Sequence, residues 1–335
     1  MSPVAPPGGP GAPDEPHRLP RTVTPRHYRL RIDVDLEAAR FTGTEQLSVD
    51  VDTEVDEIVL NAAELEISDA RLELAGGDSI AATVRIDEAG DRATFALERP
   101  APAGSAELHC QFTGILNDKL HGFYRSTFVD HAGASHVIAT SQMEATDARR
   151  AFPCFDEPDR KAVFEITLVV DRDMAAFSNG SVVSETDAGN GKKAVRFAPT
   201  MVMSSYLVAL IVGPLEATEP RMVDGVPVRV AYPPGKAHLT GYALDVAEHS
   251  LKFFSEYFAI PYPADKLDLV AIPDFAFGAM ENLGCVTFRE TALLVDSAGA
   301  ARADLERVAD VIAHEIAHMW FGDLVTMRWW EGIWP

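Results

Sequence analysis

Two histidines four residues apart, with a glutamate beside the first, carry the clearest chemistry in this 335-residue chain: His314-Glu315-Ile316-Ala317-His318. On a helix, positions i and i+4 stack on one face. Two neutral imidazoles one turn apart can share a Zn²⁺ ion at about 2.0–2.1 Å. Glu315 projects beside the first ligand, within reach of a water on the metal, without being a ligand itself. The metal lowers the pKa of that water toward about 7 and polarises a carbonyl, while the glutamate takes the proton and passes it to a leaving amine. Such a centre needs a third protein ligand. His121, His238 and Glu331 are of the right types, but nothing around them distinguishes them from solvated side chains.

A second feature is Gly278-Ala279-Met280-Glu281-Asn282, a small-residue loop before the apolar run 285–288. Small residues let backbone approach a ligand closely, and a strand edge there can pair with an extended peptide. Glu281 would then meet a positive group, and Met280 would help to shape the first pocket. By its local pattern alone the segment also reads as a surface loop entering a strand. The third feature runs from Ser141-Gln142-Met143-Glu144 through Arg149-Arg150 to Asp156-Glu157-Pro158. Alone it reads as a polar structural stretch whose arginines and acids pair with one another.

The elements that must position these residues follow from periodicity. Leu305, Val308, Ala309, Ile312, Ala313 and Ile316 predict an amphipathic helix of about 18 residues. At about 100° per residue, His314 and His318 fall roughly 180° and 220° from Leu305, away from the apolar stripe and together. Leu244, Ala247, Leu251, Phe254 and Phe258 predict an earlier helix, stopped by Pro261 and Pro263. Residues 267–272 and 285–288 read as short strands, with 293–295 extending the sheet. Upstream the period is two: Tyr28, Leu30, Ile32, Val34 and Leu36 alternate with polar residues, as do Leu47, Val49 and Val51, then Ala106, Leu108, Cys110 and Phe112, then Phe164, Ile166, Leu168 and Val170. Alternation means strands with one buried face. The fold class is therefore multidomain: a mostly antiparallel β domain over 20–214, then an α+β domain over 215–335. Residues 1–19, rich in Pro and Gly, read as a disordered leader.

Composition bounds the partners. With 29 Lys+Arg against 51 Asp+Glu the net charge is −22, which repels nucleic acid and anionic membranes. No apolar run reaches the roughly 18 residues of a membrane-spanning helix, and the leader lacks the apolar core of a signal peptide. Cys110, Cys154 and Cys285 are odd in number and widely spaced, as expected of reduced, buried thiols in a cytoplasmic protein. All four tryptophans lie within the last 16 residues. A chain stopping there looks cut through a core, with the aromatic surface around 320–334 left without a partner.

Taken together, these residues resemble the aminopeptidase N / puromycin-sensitive aminopeptidase family of zinc metallopeptidases. The resemblance is carried by Thr24-Pro25 with His27-Tyr28, by 142–158, by Gly278 through Asn282, by Phe288-Arg289-Glu290-Thr291-Ala292-Leu293-Leu294, and by 314–330, in the family's order. It implies a saddle-like N-terminal β domain, then a thermolysin-like catalytic domain incomplete at its C-terminus. It implies one Zn²⁺ per chain, and peptides with a free N-terminus as substrates, shortened one residue at a time. His314 and His318 match the family's metal ligands and Glu315 its general base. Gly278, Ala279, Met280, Glu281 and Asn282 match its substrate-binding loop, whose Glu, with Glu144 from the first domain, holds the substrate's α-amine.

The departure lies at the end. The family's third ligand, a Glu, would fall two positions beyond Pro335, itself standing where Leu is usual, and the family's oxyanion-stabilising Tyr lies further on. The sequence therefore reads as an N-terminal fragment. Two other functions remain open: a non-catalytic module that binds peptide N-termini, and a zinc endopeptidase, which would need no carboxylates at an amine site. Oligomeric state and side-chain preference are not encoded in any motif here.

Overall fold

The computed structural model describes residues 17–130 and 132–333. The leader expected over 1–19 falls mostly outside the described residues, and its last two members belong to the fold. Leu19 is buried and donates its N–H to Glu157 Oε1, and the Arg18 guanidinium sits 3.8 Å above the Trp329 ring.

Alternation builds the first domain as expected. The strand Val23–Asp35 buries Tyr28, Leu30, Ile32 and Val34 and turns its polar residues outward. It pairs antiparallel with Arg40–Val51 and parallel with Val163–Asp171, inside a ten-stranded sheet whose other ladders are antiparallel. A second, four-stranded antiparallel sheet joins Gly122–Val129, Ser135–Gln142, Leu210–Gly213 and Ala175–Ser178. One end of this smaller sheet delivers Glu144.

The last third of the chain builds a six-stranded mixed sheet. Its three central strands, Val226–Tyr232, Leu267–Ile272 and Cys285–Arg289, run parallel. Leu267–Ile272 is buried at every position, the mark of a parallel strand covered on both faces. Helix α1 (Gly241–Phe258) crosses over between the first two of these strands, and helix α2 (Arg302–His318) packs against α1. The two-residue strand Ala279–Met280 pairs with Cys285–Arg289 and ends the sheet, with no strand on its other side among the described residues.

Helix α1 ends at Phe258, ahead of Pro261 and Pro263, as expected; Ala259 adopts a left-handed φ of 52° and its N–H returns to the Glu256 carbonyl. Two expectations are corrected. Residues 293–295 do not extend the sheet. The chain turns through a 3₁₀ turn at Glu290–Ala292, and Leu293 fills the core from a loop, so its apolar character reports burial and not strand. The C-terminal segment is partnerless only in part, with Phe321 and Val325 exposed. Trp320 is buried against Phe258, with Nε1–H donating to the Ile260 carbonyl at 2.9 Å, and Trp330 packs edge-on to Tyr206 at 5.5 Å. Trp334 and Pro335 lie outside the described residues. No described helix is long and apolar enough to cross a membrane.

Candidate active site

Helix α2 buries Val308, Ile312 and Ile316, and this stripe fixes its rotation. The two histidines project together from a different side. Their rings are nearly perpendicular, at 85°, and their Nε2 atoms stand 3.0 Å apart. His318 Nδ1–H donates to the Phe321 carbonyl at 3.0 Å, a partner that can only accept. The neutral ring therefore keeps a bare lone pair on Nε2, the tautomer a metal requires. Gly322 protects this bond: with φ at +151°, a Cβ there would lie 2.9 Å from His318 Nδ1. Burial is the main cause lowering the pKa of both imidazoles, His314 being lowered further by His318, so both favour the neutral, ligating form. Two nitrogens bound tetrahedrally to one ion would stand roughly 3.3–3.4 Å apart, close to the separation found, so the pair fits a zinc ion. Among the described residues no third ligand joins them. His121 instead lies 3.4 Å from Asp147, His238 sits in the 3₁₀ turn Ala237–Leu239, and Glu331 is exposed.

Strand alternation divides the small-residue loop in a way its composition does not reveal. Ala279 and Glu281 face a cleft of about 700 Å³, with Gly278 at its edge, while Met280 and Asn282 turn into the core. Met280 Sδ accepts from Gln142 Nε2 at 3.3 Å, and Asn282 Nδ2 donates to Thr287 Oγ1 at 3.1 Å. Both side chains are thus held by protein groups, and Glu281 is the loop side chain that the cleft receives beside Ala279. Met280 and Asn282 pin the loop to both domains. Gly284, at φ +72°, permits a close approach here: a Cβ would sit 2.5 Å from the Asn179 carbonyl. Asn179 Nδ2 clamps this junction by donating to the Leu283 and Leu207 carbonyls at 2.9 and 2.7 Å.

Glu144, Glu281, Glu315, His314 and His318 all line that one cleft. Its charge is unbalanced. Burial, then the neighbouring Glu281, pushes Glu144 up to about 7, and burial raises Glu281 alongside it. Glu315 is pushed up to about 9 by burial, then by Glu281 and Glu144. Carboxyls held this high mark a place that is short of positive charge. The 142–158 stretch, which looked merely structural, splits accordingly. Arg149 does pair with Asp156, but Arg150 pairs with Asp147 and Glu64, and Glu144 stays with the cleft.

Two contributors escaped the sequence. Asp323, fully buried, has no hydrogen-bond partner on either carboxyl oxygen and is raised by burial and then by Glu281, with Lys161 opposing. Lys161 donates to the Asp323 and Leu324 carbonyls at 2.9 and 3.2 Å, tying the turn after α2 to the β domain. Tyr206 donates its hydroxyl to the Gly322 carbonyl at 3.3 Å. An acid in the apolar run after His318 was the available signal for Asp323; Tyr206 had none.

The Glu144–Glu281 pair gives a pH dependence. Both carboxyls titrate above their ordinary 4.5, toward about 7, so between those values the folded state binds more protons than the unfolded. Without metal or ligand, stability should fall as pH rises from about 4.5 to 7. Melting temperatures across that range test this, and a slope unchanged by Glu281→Gln would contradict it.

A histidine pair and a glutamate on one helix, above a carboxylate-lined cleft between a β domain and a mixed α/β domain, is the constellation of an HExxH metallopeptidase. Comparison with known families agrees. Residues 24–207 match the peptidase M1 N-terminal domain and residues 242–334 the peptidase family M1 domain. The chain belongs to the peptidase M1 family. It is 46% identical to aminopeptidase M1 of Arabidopsis thaliana over 321 residues, covering 95% of this chain and 36% of that protein. It is 43% identical to the puromycin-sensitive aminopeptidase of Caenorhabditis elegans over 329 residues, covering 98% of this chain and 35% of that protein. The chain thus spans about a third of the length of the curated relatives it matches.

Proposed function

We propose that this chain supplies the amine-gripping half and two metal ligands of a zinc aminopeptidase that removes single residues from peptide N-termini. The observation that carries this reading is the meeting of Glu144, Glu281 and Glu315 with the paired Nε2 atoms of His314 and His318 in one cleft. A zinc ion held by His314 and His318 would supply Lewis acidity toward the scissile carbonyl and a water of lowered pKa. The chain's own groups do the rest. Glu144 and Glu281, one from each domain, hold the substrate's ammonium and set its distance from the histidines. The free edge of Ala279–Met280 offers backbone groups to an extended peptide. Without cations in the cleft Glu315 keeps its proton; positive charge at the imidazoles and between the other two glutamates lowers its pKa. It then accepts a proton from the attacking water and returns one to the departing amine.

The same reading divides the chain near residue 214, as 20–214 and 215–335. It places the protein in the cytoplasm, supported by three buried, unpaired cysteines. Two imidazoles are an incomplete ligand set, so the 335-residue chain alone is expected to bind zinc weakly and to turn over little. Zinc dialysis and hydrolysis of amino-acid anilides check this: turnover equal to that of a chain carried to the length of its relatives would contradict it. The longer chain should release N-terminal residues once zinc is loaded. If it binds zinc and releases none, the functional reading falls.

A further inference from the structure

The face of the ten-stranded sheet carries a second cluster with ligand chemistry. Arg71 and Glu73 lie on the strand Glu66–Leu74, and Glu107 and His109 on Gly104–Ile115. The register sets Glu73 directly opposite Glu107, and Arg71 opposite His109. Residues two apart share a face, so all four side chains stand on one side of the sheet. Like charges directly opposed on a ladder destabilise it. Here each carboxylate is only half engaged. Glu107 Oε1 accepts from Arg29 at 2.7 Å and Glu73 Oε1 from Arg71 at 3.0 Å.

The remaining oxygens converge. Glu73 Oε2 and Glu107 Oε2 each lie 3.4 Å from His109 Nε2. His109 is only 7% exposed, and its Nε2 is buried with no hydrogen-bond partner. A buried polar atom without a partner is costly, and neither carboxylate is aligned to relieve it. A separation near 3.4 Å has another meaning: it is roughly the edge of a tetrahedron of nitrogen and oxygen ligands about 2.0–2.2 Å from a shared ion. The three ligand atoms all lie within 4.8 Å of one another.

We propose that Glu73 Oε2, Glu107 Oε2 and His109 Nε2 form a binding site for a divalent transition-metal ion. An imidazole with two carboxylates favours Zn²⁺ over Mg²⁺ or Ca²⁺. Arg29 and Arg71 take the outer oxygens, orienting the inner ones in the way that hydrogen bonds hold ligating carboxylates. Their positive charge also moderates the affinity. The Glu73 and Glu107 side chains are 40% and 30% exposed, so the fourth position opens to solvent and the ion can exchange. Bound there, it would cross-link adjacent strands and remove the repulsion between the opposed glutamates.

The test uses the 335-residue chain carrying His314→Ala and His318→Ala, so that zinc at the cleft histidines is not counted. Equilibrium dialysis against Zn²⁺ should find one ion per chain and a raised melting temperature. Glu73→Gln changes a partly exposed side chain and should melt cooperatively while binding Zn²⁺ at least about tenfold more weakly, as should His109→Asn. No uptake by the background protein, uptake unchanged by Glu73→Gln and His109→Asn, or displacement by equimolar Mg²⁺ would overturn the proposal.

Discussion

Glu315→Gln, in a chain carried to the length of its relatives, is expected to keep its zinc and lose about 10²–10⁴-fold in kcat. Glutamine has nearly the shape of the buried glutamate it replaces, so the packing of α2 and the approach of His314 to His318 should survive. What disappears is the group that accepts a proton. His314→Ala or His318→Ala should behave differently, losing the metal itself, because each removes one of the two lone pairs that meet in the cleft. Zinc content measured alongside kcat separates the two outcomes. A Glu315→Gln protein that retains most of its kcat would mean another group takes the proton.

The second large effect concerns the amine site. A free α-amine, with an ordinary pKa near 7.7–8.0, enters as a cation. On the proposed reading it would lie between Glu144 and Glu281, two carboxyls whose pKa values burial raises, that of Glu144 further by Glu281. A peptide continuing past that point would put a neutral amide there and leave buried negative charge uncompensated. Glu144→Ala and Glu281→Ala should each cost free-amine peptides at least tenfold in kcat/KM, about 1.4 kcal/mol, and shrink discrimination against N-acetylated peptides. Full activity and discrimination in both variants would return the loop to a structural role.

Much of this site was legible because its chemistry is local. His314, Glu315 and His318 lie within five residues on one amphipathic helix, and periodicity located both the helix and the face bearing the imidazoles. The strand Leu267–Ile272 was equally plain, being a short apolar run. What the sequence hid depends on contacts far apart in the chain. Glu144 and Glu281 meet only because the four-stranded sheet docks on the loop, through Gln142 to Met280 and Asn179 to Leu283. The inward turn of Met280 and Asn282 follows from a two-residue strand too short to announce its own alternation. The parallel order of the central strands came from the α1 crossover, which periodicity does not encode. Asp323 acquires its meaning only from the carboxylates folded around it.

The most direct measurement is the ratio of kcat/KM for a free-amine peptide to that for its N-acetylated counterpart, in the zinc-loaded protein at full length. With a cation required between Glu144 and Glu281, the free amine should be preferred by at least about a hundredfold, tenfold or more for each carboxylate. Equal rates on the two peptides would mean that this cleft does not read the N-terminus, and that the protein cuts as an endopeptidase.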